Sequence, residues 1–301
     1  MDAALVLRTR FDRNEVIQDQ EIHSVLTQSR IVQKLTSDYE ENAFFNIFRL
    51  MCLSEIPYAG RLDYTRKVLA FVSSHLSLPE GFSYTGHVDG IVPCYNAMLL
   101  EAYTRLDMAA SREAQNALNW VKQYQVFERN QVTAWKHGGI CRHGGCMRAV
   151  PCYIGIGKTV RALITYAEFT KHADREVEEL IEKGTGYMLR HNMYQRLSNR
   201  TPISAHITDI MFPQAYMLTA ADLVYIAGKQ RLWGDARTIG LKELLDSKAC
   251  AKDSWKIDYI YGHKGYKAFD SKRKASEWVD YMFHLSLYGP AIQLQEINYG
   301  S

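Results

Sequence analysis

The sequence predicts an all-α protein, arranged as an α/α toroid of about five inner-and-outer helix hairpins around a central cavity. Three observations lead there. Apolar residues recur at helical spacing along most of the 301 residues, and the one strand-like candidate, Trp255 to Tyr261, is short. Segments apolar all round alternate with segments apolar on one face; the first kind must be enclosed by protein, the second lies at a surface. The all-round members begin near residues 43, 95, 153, 214 and 277, a spacing of roughly 50–65 residues. Such a period marks stacked units that cannot bury their apolar faces alone. An open helical solenoid is the alternative arrangement.

Residues 1–40 form a helical N-terminal extension in this reading, and 41–301 form the toroid domain. The first inner helix carries Phe44, Phe45, Ile47, Phe48, Leu50, Met51 and Leu53 and closes at Ile56-Pro57. Its amphipathic partner carries Tyr64, Val68, Leu69, Phe71 and Val72 and ends before Pro79. The couplet recurs as Tyr95 to Leu106 with the stretch opened by Ser111, then as Tyr153 to Phe169 with Arg175 to Met193. Gln214 to Ala227 with Asp235 to Leu245 follows, and a last apolar helix runs from Ser276 to about Tyr288.

The motif VPCY occurs at 92–95 and again at 150–153, each time heading an inner helix. Proline suits a first helical position because its missing N–H has no intrahelical partner there and its φ is already helical. Pro93, Pro151 and Pro213 share this phasing. Parallel inner helices would bring their N-termini to one mouth, so Cys94 and Cys152 are expected on the same rim.

Composition narrows the functional classes. Apolar residues make up 47% and aromatic residues 12%, enough for a large core. Net charge is +3 with Lys and Arg scattered among acids, which speaks against a nucleic-acid partner. The N-terminus lacks a signal-peptide core and no run reaches the length of a membrane span. Six cysteines without an export signal point to thiols or metal ligands in a cytoplasmic protein.

The motifs resemble those of the prenyltransferase and squalene-cyclase repeat proteins, specifically their small bacterial and archaeal single-domain relatives. The resemblance rests on Val92-Pro93-Cys94 before NAMLLEAYTRL and on CMRAVPC (146–152) before GIGKTVRALITYAE. It continues through YMLRH (187–191), Phe212-Pro213 with Tyr216 before DLVYIAG, and Trp278 in SEWVDYMFHL. It covers most of the chain from about residue 40 onward and implies a toroid around a largely apolar cavity. The aspartate cluster of squalene cyclases is missing. Thr219 also stands where relatives carry an acid. Both departures speak against protonation-initiated cyclisation.

The densest chemistry lies in WKHGGICRHGGCMRAVPC (135–152), with His137, Cys141, His143, Cys146 and Cys152. Thiolates and imidazoles on a glycine-rich loop suit Zn²⁺, and Cys94 would join them from the neighbouring motif. Zinc is therefore the candidate cofactor. The resemblance implies the same metal, since protein prenyltransferases hold zinc with one Asp, one Cys and one His. The spacings C-x4-C and C-x5-C are wider than those of structural zinc sites. At a helix N-terminus Cys94 and Cys152 are expected to have lowered thiol pKa values; Cys52 and Cys250 read as buried small hydrophobes.

His206 and Asp209 precede the fourth inner helix as a candidate base and its orienting acid, and His87 and Asp89 hold the equivalent place in an earlier repeat. Tyr95, Tyr153 and Tyr216 lie near inner-helix starts as candidate aromatic walls or proton donors. GIGKT (155–159) is not a phosphate loop: Cys152 stands where the first glycine is required, and no strand precedes it. Gly155 and Gly157 read instead as points of close helix approach, with Lys158 facing the cavity or pairing an acid.

These features point to an enzyme acting on a small, largely apolar substrate, isoprenoid or aromatic-ring-bearing, held in the cavity. The alternatives are a carbohydrate-active hydrolase or lyase, for which the inner helices offer few acids (Glu101, Glu168, Asp222), and a non-catalytic ligand-binding scaffold.

Overall fold

The computed structural model describes residues 1–137, 151–171 and 173–289. These contain twelve α-helices and two short hairpins, so the protein is predominantly helical. Helices α1 (Ala3–Asp12), α2 (Asp19–Gln28) and α3 (Arg30–Thr36) come first. Then follow α4 (Ala43–Ser54), α5 (Asp63–His75), α6 (Pro93–Arg105), α7 (Arg112–Tyr124), α8 (Tyr153–Thr170) and α9 (Arg175–Arg190). The last are α10 (Ala220–Lys229), α11 (Ile239–Lys248) and α12 (Glu277–Tyr288). Strands β1 (Ser77–Leu78) and β2 (Gly81–Phe82) pair antiparallel, as do β3 (Ala249–Ala251) and β4 (Ser254–Trp255). Of the short strand-like candidate at 255–261, only Trp255 lies in a strand.

Burial follows the two kinds of helix. Every residue of α4 from Phe45 to Ser54 is buried, as is every residue of α6 from Asn96 to Arg105. In α7 burial is confined to Ala114, Ala117, Leu118, Trp120 and Val121, one face of the helix. The enclosed helices pack in series, α4 on α6, α6 on α8 and α8 on α10, and α10 packs on α12, which buries Trp278, Val279, Tyr281 and Phe283. Helices α5, α7, α9 and α11 pack on α4, α6, α8 and α10 respectively.

Two glycines bring the enclosed helices together. A Cβ on Gly155 would stand 2.7 Å from the Pro93 Cβ, and one on Gly157 would stand 2.6 Å from Leu218. The starts of α6 and α8, with their two VPCY motifs, therefore lie side by side.

The fourth enclosed helix begins later than the sequence suggests. Instead of starting at 214 behind Pro213, α10 starts at Ala220. Thr219 and Asp222 form a reciprocal cap, the Asp222 carboxylate accepting from the Thr219 N–H at 2.9 Å. Gln214 is drawn sideways, donating to Glu101 at 2.8 Å and accepting from Lys158 at 2.9 Å. These bonds leave 214–219 outside the helix.

Residues 1–40 share one continuous hydrophobic core with the rest of the chain through Leu5, Leu7, Ile22, Leu26 and Leu35. Helix α1 also links α12 to the end of α4: the Tyr281 hydroxyl donates to Asp12 at 3.0 Å, and Arg8 pairs with Glu55 at 3.6 Å.

Candidate functional site

The enclosed helices carry an aromatic dish at their N-terminal end. Asn42 caps α4 by accepting from the Phe45 N–H at 3.1 Å, which places Phe44 in the first turn and Phe48 one turn deeper. Phe48 is fully buried, whereas Phe44, Tyr84, Tyr95, Tyr216, Tyr261 and His263 are half-buried. These six form a closed circuit. Ring centroids are 5.9 Å apart for Phe44–Tyr84, 5.1 Å for Tyr84–Tyr95 and 6.2 Å for Tyr95–Tyr216. The circuit continues at 5.8 Å to Tyr261, 6.3 Å to His263 and 6.2 Å back to Phe44. Phe48 touches four of them and forms the floor.

The Tyr95 and Tyr216 rings lie 12° from parallel. The hydroxyls of Tyr95, Tyr216 and Tyr261 have no hydrogen-bond partner among the described residues. Burial raises all the more the phenol pKa of Tyr95, so it stays protonated as a donor. His263 Nδ1 accepts from the Gly265 N–H at 3.1 Å, which leaves Nε2–H as a donor, and burial lowers the imidazole pKa.

His206 and Asp209 are joined at 2.8 Å through Nδ1 and Oδ2. In the neutral ring, a proton on Nδ1 given to the carboxylate leaves the Nε2 lone pair free. The imidazole rests on Tyr259 with centroids 4.0 Å apart, and the Asp209 carbonyl accepts from the Ala220 N–H at the start of α10. Tyr259 lies two positions before Tyr261 of the dish in the chain. His87 and Asp89 are both exposed.

Tyr153 departs from its expected role. It is buried, its hydroxyl donates to the Met193 carbonyl at 2.5 Å, and its ring packs on Tyr187 of α9 and on His191. Core packing on the outer layer holds it away from the dish.

Cys94 and Cys152 are neighbouring half-buried thiols. Burial, and then Cys152, push the Cys94 thiol up to about 12, so desolvation outweighs the helix N-terminus that was expected to lower it. Cys141, His143 and Cys146 lie outside the described residues. His137 is exposed and its ring lies tilted against Trp135, beside Trp120 and Tyr124 of α7. Among the described residues no three metal-binding side chains come together, and two thiols fall short of a zinc-ligand set. Cys52 is buried as expected, but Cys250 is exposed, its thiol donating to the Ser254 carbonyl at 3.5 Å.

Between α1, α4, α6, α8 and α10, where the resemblance implies an apolar interior, lies a buried charge network. Arg161 donates to Glu101 at 3.0 Å, to Asp222 at 3.1 Å and to Glu55 at 2.7 Å. Arg105 donates to Glu101 at 2.8 Å, and Lys158 to Asp222 at 2.9 Å. Burial would raise the Glu101 carboxyl, but Arg161 and Arg105 outweigh it and hold it at about 2. Burial lowers the Lys158 ammonium, and Asp222 offsets only part of that. Glu168 pairs with Lys229 at 2.9 Å. Glu101, Asp222 and Glu168 are therefore each paired with a cation.

Phe44, Phe48, Tyr84, Tyr261 and His263 escaped the sequence reading. The signal the sequence offers is the aromatic alternation DYIYGH (258–263), most of which lies in the short strand-like candidate 255–261. No helix among the described residues is long and apolar enough to cross a membrane. The chain matches no protein-family model, no curated protein and no solved structure.

Proposed function

We propose that the protein is an enzyme acting on a small, largely apolar molecule with a planar or unsaturated group, an aromatic ring or an isoprenoid, held against the aromatic dish. The carrying observation is the near-parallel Tyr95–Tyr216 pair above the Phe48 floor, with unbonded hydroxyls at its edge. Aromatic walls supply apolar area and flat faces, and a few polar groups orient the ligand. The His206–Asp209 pair supplies an imidazole oriented by a carboxylate, the arrangement of a general base, which favours an enzyme over a passive scaffold.

We infer further that the helix pairs form an α/α toroid. The unbroken series α4–α6–α8–α10–α12, with α5, α7, α9 and α11 outside it, supports this, and α1 bridges α12 back toward α4. Zinc enters the proposal only through the paired thiols of Cys94 and Cys152. Elemental analysis of untagged protein, with Cys152→Ser alongside, tests it: metal retained by the variant excludes Cys152 as a ligand.

Calorimetric titration with indole and with farnesol tests the substrate class. Saturable binding of at least one is expected, weakened about tenfold or more by Tyr95→Ala and by Tyr216→Ala. Variants that melt normally and bind like the wild type would remove the dish from the site. Binding of a soluble oligosaccharide, with neither apolar probe bound, moves the assignment to the carbohydrate alternative.

A further inference from the structure

We propose a second ligand site, for an amphipathic carboxylate, in a cavity of about 560 Å³ flanked by α1, α8, α10 and α12. It opens near the C-terminal ends of α8, α10 and α12, marked by Glu168, Lys229 and Leu287, away from the dish. No residue of the dish lines it, so it stands independently of the proposed reaction. Its volume falls in the range of small-molecule sites, roughly 300–1,000 Å³.

The walls are apolar, with Val224 from α10 facing Met282, Phe283 and Leu285 from α12. Two deeply buried guanidiniums, Arg8 at 6% exposure and Arg161 at 3%, also line it. Charge bookkeeping then decides where an anion can sit. Arg8 is neutralised by Asp12 at 2.7 Å and Lys229 by Glu168 at 2.9 Å. Arg161 is neutralised from behind by Glu55, Glu101 and Asp222. Arg231 is exposed in the lining, and its side chain has no hydrogen bond or ion pair among the described residues.

A small hydrophilic anion would leave the apolar walls unfilled. A neutral hydrocarbon would make no use of Arg231. A ligand with both parts satisfies the site, its chain between α10 and α12 and its carboxylate on the Arg231 guanidinium, whose forked donors match carboxylate geometry.

Calorimetry on the full chain with decanoate and with 1-decanol tests this. Decanoate is expected to bind saturably and more tightly than 1-decanol. Arg231→Glu should weaken decanoate about tenfold or more and leave 1-decanol unchanged, whereas Met282→Trp, which fills the cavity, should weaken both. Circular-dichroism melts establish that each variant is folded. No saturable decanoate binding to the wild type overturns the proposal, as does binding that both folded variants retain unchanged. Equal affinity for the acid and the alcohol overturns the role of Arg231.

Discussion

Gly155 lies so close to Pro93 that a Cβ on the glycine would meet the proline Cβ at 2.7 Å. One repeated motif thus packs against the other, and the start of α8 can approach α6 only where a side chain is missing. Gly157 makes a similar approach to Leu218 at 2.6 Å, but there the obstacle is the end of a flexible side chain.

The two glycines are therefore expected to respond differently to alanine. In a helix interior Gly→Ala adds about 0.5–1 kcal/mol of stability by propensity. At 155 a rigid proline ring opposes the new methyl, and overpacking costs typically 1–3 kcal/mol, so the net change is destabilising. At 157 Leu218 can rotate, and Gly157→Ala should lie nearer to neutral. Urea midpoints order the two variants, and a Gly155→Ala protein more stable than wild type contradicts the close packing.

Asp222 does more than Lys158. Its carboxylate meets Lys158 at 2.9 Å and Arg161 at 3.1 Å, and it caps α10 through Thr219. Asp222→Ala leaves the buried Lys158 ammonium without a carboxylate and takes one of three carboxylates from Arg161, and is expected to lose about 3–5 kcal/mol, with about 1 kcal/mol more from the cap. Lys158→Met leaves Asp222 paired with Arg161 and mainly orphans the Gln214 carbonyl, a loss on the order of 1–3 kcal/mol. Chemical denaturation of both variants should give that order; the reverse order would remove Asp222 from the centre of the network.

Glu101 carries an acid dependence of stability. Its carboxyl titrates at about 2 in the folded chain against an ordinary 4.5. Between those values the unfolded chain holds the extra proton, so stability is complete above about 4.5 and is lost as pH falls toward about 2. The loss is on the order of 3 kcal/mol for this group. Glu101→Gln should flatten the pH dependence of the urea midpoint between pH 5 and pH 2, roughly, relative to wild type. An unchanged slope would mean that Glu101 is not held ionised by Arg161 and Arg105.

Much of this architecture was legible in the sequence because enclosed and one-faced helices carry different apolar patterns. Four of the five enclosed helices begin within two residues of where periodicity places them, at Ala43, Pro93, Tyr153 and Glu277. The fifth escaped because Gln214 looks like the first residue of an apolar run, whereas its amide is spent bridging Lys158 and Glu101 across the helix array. The candidate site divides on the same line. His206 and Asp209 lie three positions apart, so their pairing is visible locally, and Tyr95 and Tyr216 are marked by their place near the starts of two helices. Tyr261 and His263 join the dish because 256–269 folds back over α4, a long-range event without periodicity. Cys94 was misjudged in reactivity because burial, invisible in a sequence, outweighs a helix terminus.

The His206–Asp209 pair is the part of the site whose chemistry is most exposed to test. With Asp209 accepting from Nδ1 at 2.8 Å, the neutral imidazole should carry its proton on Nδ1 and keep Nε2 free. Nitrogen chemical shifts of the His206 ring, measured above its titration, should report that tautomer, and Asp209→Asn should shift it or mix it with the other. If the pair acts on substrate, Asp209→Asn and His206→Gln should each reduce turnover of the ring-bearing or isoprenoid substrate by about 10²–10⁴-fold. Binding at the dish should change little, because neither side chain belongs to the aromatic circuit. That separation is what distinguishes a base from a structural loop contact: a loop contact would lower the melting temperature and weaken binding, with turnover by the folded fraction preserved. A proton found on Nε2 in the wild type, or wild-type turnover in both variants, would leave the dish without this base.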